Sequence, residues 1–105
     1  MRTILFIDTA SNEEISVGLR IREKKFVSKR KVDKMKAQVV LPMIEQLLKK
    51  HKMSLEQIDA VEVNTGPGSF TGLRVGISIA NALGFLLQIP VNKKPLGEIV
   101  QASYT

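Results

Sequence analysis

The sequence predicts an α/β lobe with a mixed five-stranded sheet and elements in the order βββαβαβα. Three observations predict it. Apolar and polar residues alternate from Ile15 to Ile21, the period of a strand with one covered face. Val40, Ile44, Leu47 and Leu48 recur instead at helical spacing. Between a short apolar run and a long one lies the glycine-rich stretch from Asn64 to Gly76, a turn leading into a helix.

Thr3 to Ile7 reads as a buried strand ending in the turn-forming cluster Asp8-Thr9-Ala10-Ser11-Asn12. Ile15 to Ile21 is the second strand, Arg22-Glu23-Lys24-Lys25 a short connection, and Phe26 to Val32 the third. Links this short imply an antiparallel meander. A helix follows, from Met35 to His51. Val40, Leu41, Ile44, Leu47 and Leu48 form its main stripe, and Met35, Val39 and Met43 form a second beside it. Pro42 removes one backbone hydrogen bond inside it and is expected to bend it. Ser54-Leu55-Glu56-Gln57 has capping-box spacing for one short turn. Ala60 to Val63 is the fourth strand, Ile89-Pro90-Val91 a short fifth, and Leu96 to Ser103 a last helix.

In the glycine loop, Gly66 and Gly68 permit positive φ and close backbone approach, and Pro67 fixes φ between them. Ser69 or Thr71 caps the helix, so several N–H groups converge on a concavity suited to an anion or a partner's chain. No Gly-Lys-Ser/Thr follows, so this is not a Walker A loop.

On the helix after the loop, Arg74, Ser78, Asn81 and Gln88 share one wedge of roughly 80°, with Phe85 inside it. The remaining apolar arc is about twice the stripe of about 100° that a helix covering a sheet needs. Gly72, Gly76, Ala80 and Gly84 recur every four residues within it, a groove of the kind that admits another helix. Either the sheet and the first helix cover this arc, or a second chain packs there, with Met35, Val39 and Met43 extending the surface.

At 105 residues the chain is one domain. It contains no cysteine, which excludes disulfides and thiolate metal sites and suits a reducing cytoplasm. The N-terminal apolar run is too short for a signal peptide and meets Asp8 at once. The apolar segment from Val75 to Val91, interrupted by Ser78, Asn81 and Gln88, reads as a buried helix rather than a membrane span. Of the formal net charge of +6, much lies between Arg22 and Lys36, where only Glu23 and Asp33 oppose the cations. That region is either a nucleic-acid patch or a solvated hairpin whose edge is blunted by lysines. No aromatic array accompanies it, against a dedicated single-strand binder.

The element order matches one ribonuclease H-like lobe, the lobe shared by actin-like and sugar-kinase-like (ASKHA) proteins. In such sheets ligands bind beyond the carboxyl ends of the strands, where Asp8, Thr9 and the loop from Asn64 to Gly72 lie. Phosphoryl transfer there needs positioning from two lobes, and one lobe gives half a cleft. A ribonuclease H-like nuclease needs carboxylates gathered around two metals. Asp8 is placed as the first and Glu45 and Glu62 are candidates, but Asn64 stands where an acid would serve. His51, the sole histidine, sits at a Lys-rich helix end, and Arg74 is placed to meet an anion, a carboxylate or a partner. The residues themselves name no catalytic group, no metal site and no cofactor.

Three stretches in matching order and spacing resemble a known family: Ile4-Leu5-Phe6-Ile7-Asp8-Thr9, Leu41-Pro42-Met43-Ile44 with Leu47-Leu48, and Gly66-Pro67-Gly68-Ser69-Phe70-Thr71-Gly72-Leu73-Arg74-Val75-Gly76. The third is highly specific. Together they resemble the amino-terminal lobe of the bacterial tRNA threonylcarbamoyladenosine biosynthesis family TsaB, also called YeaZ, over essentially the whole chain. The resemblance implies a cytoplasmic, non-catalytic scaffold in tRNA N6-threonylcarbamoyladenosine synthesis. Its partners would be a TsaD-type catalytic subunit, which carries the metal, and a small TsaE-type ATPase that binds the assembled pair. A homodimer, and contact with tRNA through the basic region, are further expectations. The family's helical contact maps here onto Met35, Val39, Met43, Leu73, Val75, Gly76, Ile77 and Ala80. The glycine-loop set is Asp8, Thr9, Gly66, Gly68, Ser69, Thr71, Gly72 and Arg74. The chain departs from the family at three points. It is expected to be a single lobe, 1–105, without the usual second lobe; Lys36 replaces a common His; and Asn92-Lys93-Lys94-Pro95 stands where a Ser-rich turn is usual.

Overall fold

Strand alternation builds the sheet. The computed structural model describes residues 2–32 and 36–103. Strands β1 (Thr3–Asp8), β2 (Glu14–Ile21) and β3 (Lys24–Lys31) form the expected antiparallel meander, and β4 (Ala60–Val63) joins β1 in parallel. The order is β3-β2-β1-β4. A two-residue turn with Arg22 at φ 59° links β2 to β3. Leu5 pairs with Leu19 and Val61, and Ile7 with Val17 and Val63, so one face collects buried apolar side chains. Ile4, Phe6, Asp8, Ser16 and Arg20, one residue out of phase, point to the opposite face.

Helices α1 (Lys36–Lys50) and α2 (Phe70–Leu87) lie side by side on the apolar face, α1 over β2 and α2 over β1 and β4. Between α1 and β4 is a 3₁₀ turn, Leu55–Gln57, where the Gln57 side chain accepts from the Ser54 N–H at 2.8 Å. α1 buries Val40, Met43, Ile44, Leu47 and Leu48. Met43 is therefore core, whereas Leu41, expected in the main stripe, is 44% exposed. On the helix wheel the buried side chains span about 140°, from Met43 to Leu48, and Leu41 falls just beyond that edge. At the start of α2 the Ser69 hydroxyl caps the helix, accepting from the Gly72 N–H at 3.3 Å. α2 is long and apolar enough to cross a membrane by composition. Here it packs along the sheet, burying Leu73, Ile77, Ala80 and Leu83.

Two sequence expectations are corrected. The sheet has four strands, because Ile89-Pro90-Val91 contributes only a single parallel bridge between Val91 and Val61. Asn92 and Lys93 take positive φ and turn the chain away, while the Asn92 side chain replaces the missing strand. Its Oδ1 accepts from the Val63 N–H at 2.7 Å and its Nδ2 donates to the Val63 carbonyl at 3.0 Å. The helix expected from Leu96 to Ser103 is likewise not formed. Gly97 sits at φ 86°, and Asn81 on α2 holds both backbone groups of Val100, accepting from its N–H at 2.9 Å and donating to its carbonyl at 3.0 Å. Each backbone group so held is unavailable to a helix.

Asn81→Leu keeps the side-chain volume but removes both bonds. Hydrogen exchange is expected to accelerate about tenfold at Val100, the worth of one net hydrogen bond, with β1 and β4 amides unchanged.

Candidate functional site

The carboxyl ends of β1 and β4 meet where the sequence places the site. Asn64 donates its N–H to the Ile7 carbonyl at 3.0 Å and folds its Oδ1 onto the Gly66 N–H at 2.9 Å. Its Nδ2 reaches Asp8 Oδ1 at 3.3 Å, and the same oxygen accepts from the Ala10 N–H at 3.0 Å. The Ser69 N–H donates to the Ala10 carbonyl at 2.9 Å. The close approaches that Gly66 and Gly68 permit are taken by this chain itself. A Cβ on Gly68 would lie 2.7 Å from the Ala10 Cβ, and one on Gly66, at φ 121°, would collide with the Ser103 carbonyl oxygen. Ser103 also donates its N–H to the Thr65 carbonyl at 2.6 Å. The loop is stitched to its own lobe, and the N–H groups of Gly66, Ser69 and Gly72 are paired within it.

Thr9 is fully buried. Its hydroxyl accepts from the Gly76 N–H at 3.0 Å and donates to the Gly72 carbonyl, the two groups an uninterrupted helix pairs with each other. Gly76 leaves room for this; a Cβ there would lie 2.6 Å from the Thr9 oxygen and 3.2 Å from Ile7 Cγ2. At the other end of the small-residue row, a Cβ on Gly84 would lie 2.5 Å from Val91 Cγ2. Gly76 and Gly84 therefore sit against this lobe's own Thr9, Ile7 and Val91.

On the open sheet face, Asp8, Ser16, Lys25, Glu62, Asn64 and Asn92 line a shallow groove of about 460 Å³ floored by Phe6 and Gly18. The Lys25 ammonium lies 4.1 Å above the Phe6 ring. Asp8 and Glu62 share this groove; Glu45 does not, because it is exposed on α1 across the sheet. Among the described residues no group of three or more His, Cys, Asp or Glu is placed to hold a metal ion. His51 stacks on Phe26 at 4.1 Å, and the Arg74 guanidinium lies 5.5 Å from the Phe70 ring centre. Thr71, next along α2, is exposed. Sequence reading missed Asn92 and Lys25 as groove residues; the only signal was the departure at Asn92-Lys93-Lys94-Pro95.

The residues mapped onto a helical contact divide. Leu73, Gly76, Ile77, Ala80 and Met43 are buried in the lobe's own core. Val39 and Val75 are half-buried, and Met35 lies outside the described residues. The large apolar residues that α2 exposes are instead Phe70, Phe85 and Leu86, the last two 72% and 73% exposed.

Residues 27–93 match the family model described as TsaD, tRNA N6-adenosine threonylcarbamoyltransferase. The chain belongs to this threonylcarbamoyltransferase family. Within it the likeness runs to TsaB and YeaZ. The TsaB protein of Haemophilus influenzae is 40% identical over 89 residues, 85% of this chain and 37% of that protein. YeaZ from Pseudomonas aeruginosa superposes with a TM-score of 0.82 at 36% identity, covering 87% of this chain and 42% of that one. A transferase of the family from Nitrosomonas eutropha is 48% identical over 52 residues, 50% of this chain and 15% of that protein. The chain thus spans about two fifths of the TsaB and YeaZ relatives it matches.

Thr9→Ala should cost about 1–3 kcal/mol by removing a buried bonded hydroxyl. Gly76→Ala should cost a similar about 1–3 kcal/mol by overpacking. Urea unfolding of the double variant is expected to lose clearly less than the sum, because deleting the hydroxyl makes room for the new methyl.

Proposed function

We propose that this lobe acts in tRNA N6-threonylcarbamoyladenosine synthesis as a non-catalytic, cytoplasmic subunit that docks a TsaD-type catalytic protein through α2. The observation that carries the reading is the outer face of α2. Val75, Ile79, Ala82 and Leu86 follow one another at helical spacing and fall within an arc of about 60°. Val75 and Ile79 are half-buried, Ala82 and Leu86 exposed. The stripe lies beside the buried face, so α2 is apolar on two adjacent sides, and sheet contact accounts for only one. Membership in a family that includes transferases gives the partner a similar lobe, and two similar lobes can present like helices to each other. A TsaE-type ATPase would then bind the assembled pair, and a homodimer through the same stripe is the form expected without partner.

Light scattering after size exclusion tests this. The lobe mixed with a TsaD-type protein should elute as a complex, and Leu86→Asp with Ala82→Asp should weaken association at least tenfold, as loss of a central apolar anchor does. The far-UV spectrum of the variant should be unchanged, since Ala82 and Leu86 are both exposed. A lobe that stays monomeric both alone and with the partner overturns the reading. Ala80→Asp is the wrong probe, because Ala80 is fully buried and its replacement would unfold the lobe.

A further inference from the structure

The net charge of this chain sits on one hairpin. From Arg20 to Lys31 seven Lys and Arg face a single acid, Glu23, giving the full formal charge of +6. The other nine Lys and Arg are balanced by nine Asp and Glu. A general lysine bias would spread the excess, and this one is confined to twelve residues of β2, β3 and their turn. All seven cations are exposed.

The register sharpens the point. Arg20 on β2 stands directly opposite Lys25 on β3, and like charges so opposed destabilise a sheet. Lys25, Lys29 and Lys31 alternate along β3 on the same open face. Lys29 meets Glu14 at 3.9 Å, a solvated contact of little energy. Lys25 is held in place over Phe6. Lysines that merely guard a free edge need only the edge strand. They do not need Arg20 on the inner strand, set against one of their own number.

We propose that the open face of the β2–β3 hairpin docks the phosphate backbone of a folded RNA. Alternate residues on a strand are about 6.6–6.8 Å apart, so the row offers repeated cations along a line. An acidic protein fits less well, because protein interfaces rely on buried apolar anchors and this face exposes only Val27. The hairpin lies on the sheet face opposite α1 and α2, so RNA and a helix-docked partner do not compete. This proposal stands apart from the docking of α2 and takes from it only the choice of tRNA as probe.

Fluorescence anisotropy with a labelled tRNA transcript, from about 50 to 200 mM salt, provides the test. Binding should fall log-linearly with salt. Lys25→Gln, Lys29→Gln and Lys31→Gln together should weaken it at least tenfold at the lowest salt and reduce the slope by about one for each phosphate no longer neutralised. Lys49→Gln with Lys50→Gln, on the helix side, should leave affinity and slope unchanged. Absence of salt-dependent binding overturns the proposal. So does a hairpin variant with the wild-type slope, or displacement of the RNA by polyglutamate as readily as by unlabelled tRNA.

Discussion

One hydroxyl couples the sheet of this lobe to its longest helix. Thr9 follows the last residue of β1 and places its oxygen between the Gly72 carbonyl and the Gly76 N–H. A hydroxyl can accept and donate at once, which the insertion demands. Neither an apolar side chain nor a carboxylate meets both needs. The contact also sets the neighbouring sequence, because residue 76 can carry no side chain so near to Thr9 and Ile7. With β1 in the sheet interior, between β2 and β4, fixing α2 on its end fixes where the glycine loop must enter. The bonds from Ser69 to Ala10 and from Asn64 to Ile7 close that loop onto the same strand end.

The small-residue spacing shows both the reach and the limit of sequence reading. Glycine or alanine every four residues signals that something approaches a helix closely, and this was legible. What approaches was not. The same pattern serves a foreign helix or a strand end, and the three-dimensional path of β1 and of Val91 decides between them. The alternation of β2, the buried stripe of α1 and the β1–β4 site end were legible because each rests on local periodicity. Leu96 to Ser103 carries a helical pattern it does not adopt, because Asn81, 19 residues before Val100, holds that residue in an extended path. Asn92 likewise takes the place of a fifth strand on Val63, 29 residues away. A side-chain amide that imitates a backbone neighbour leaves no periodic trace.

Topology also decides the chemistry. Asp8 and Glu62 belong to the open face, whereas Glu45 belongs to a helix on the other side of the sheet. Spacing along the chain could not separate them; the side of the sheet to which each element is assigned does. Asp8 is engaged in turn-building by Ala10 and Asn64.

The sheet thereby separates two surfaces of unlike character. Its helix side presents an apolar stripe with few charges near it, and its open side presents Arg20, Lys25, Lys29 and Lys31 of the hairpin. On the proposed reading this division has a consequence for partner choice. An apolar stripe that meets a similar stripe discriminates poorly, because burying Ile79 and Leu86 against another copy or against a related lobe releases comparable free energy. Selectivity must then come from polar residues at the margin, and α2 offers Arg74 and Ser78 there, both exposed. Arg74 lies against the Phe70 ring, where a partner carboxylate could recruit it without displacing the apolar contact. A second copy of this chain brings another arginine to a symmetric contact, and two like charges near each other oppose it. On that reading Arg74 tilts the balance away from self-association and toward a partner bearing an acid at that margin.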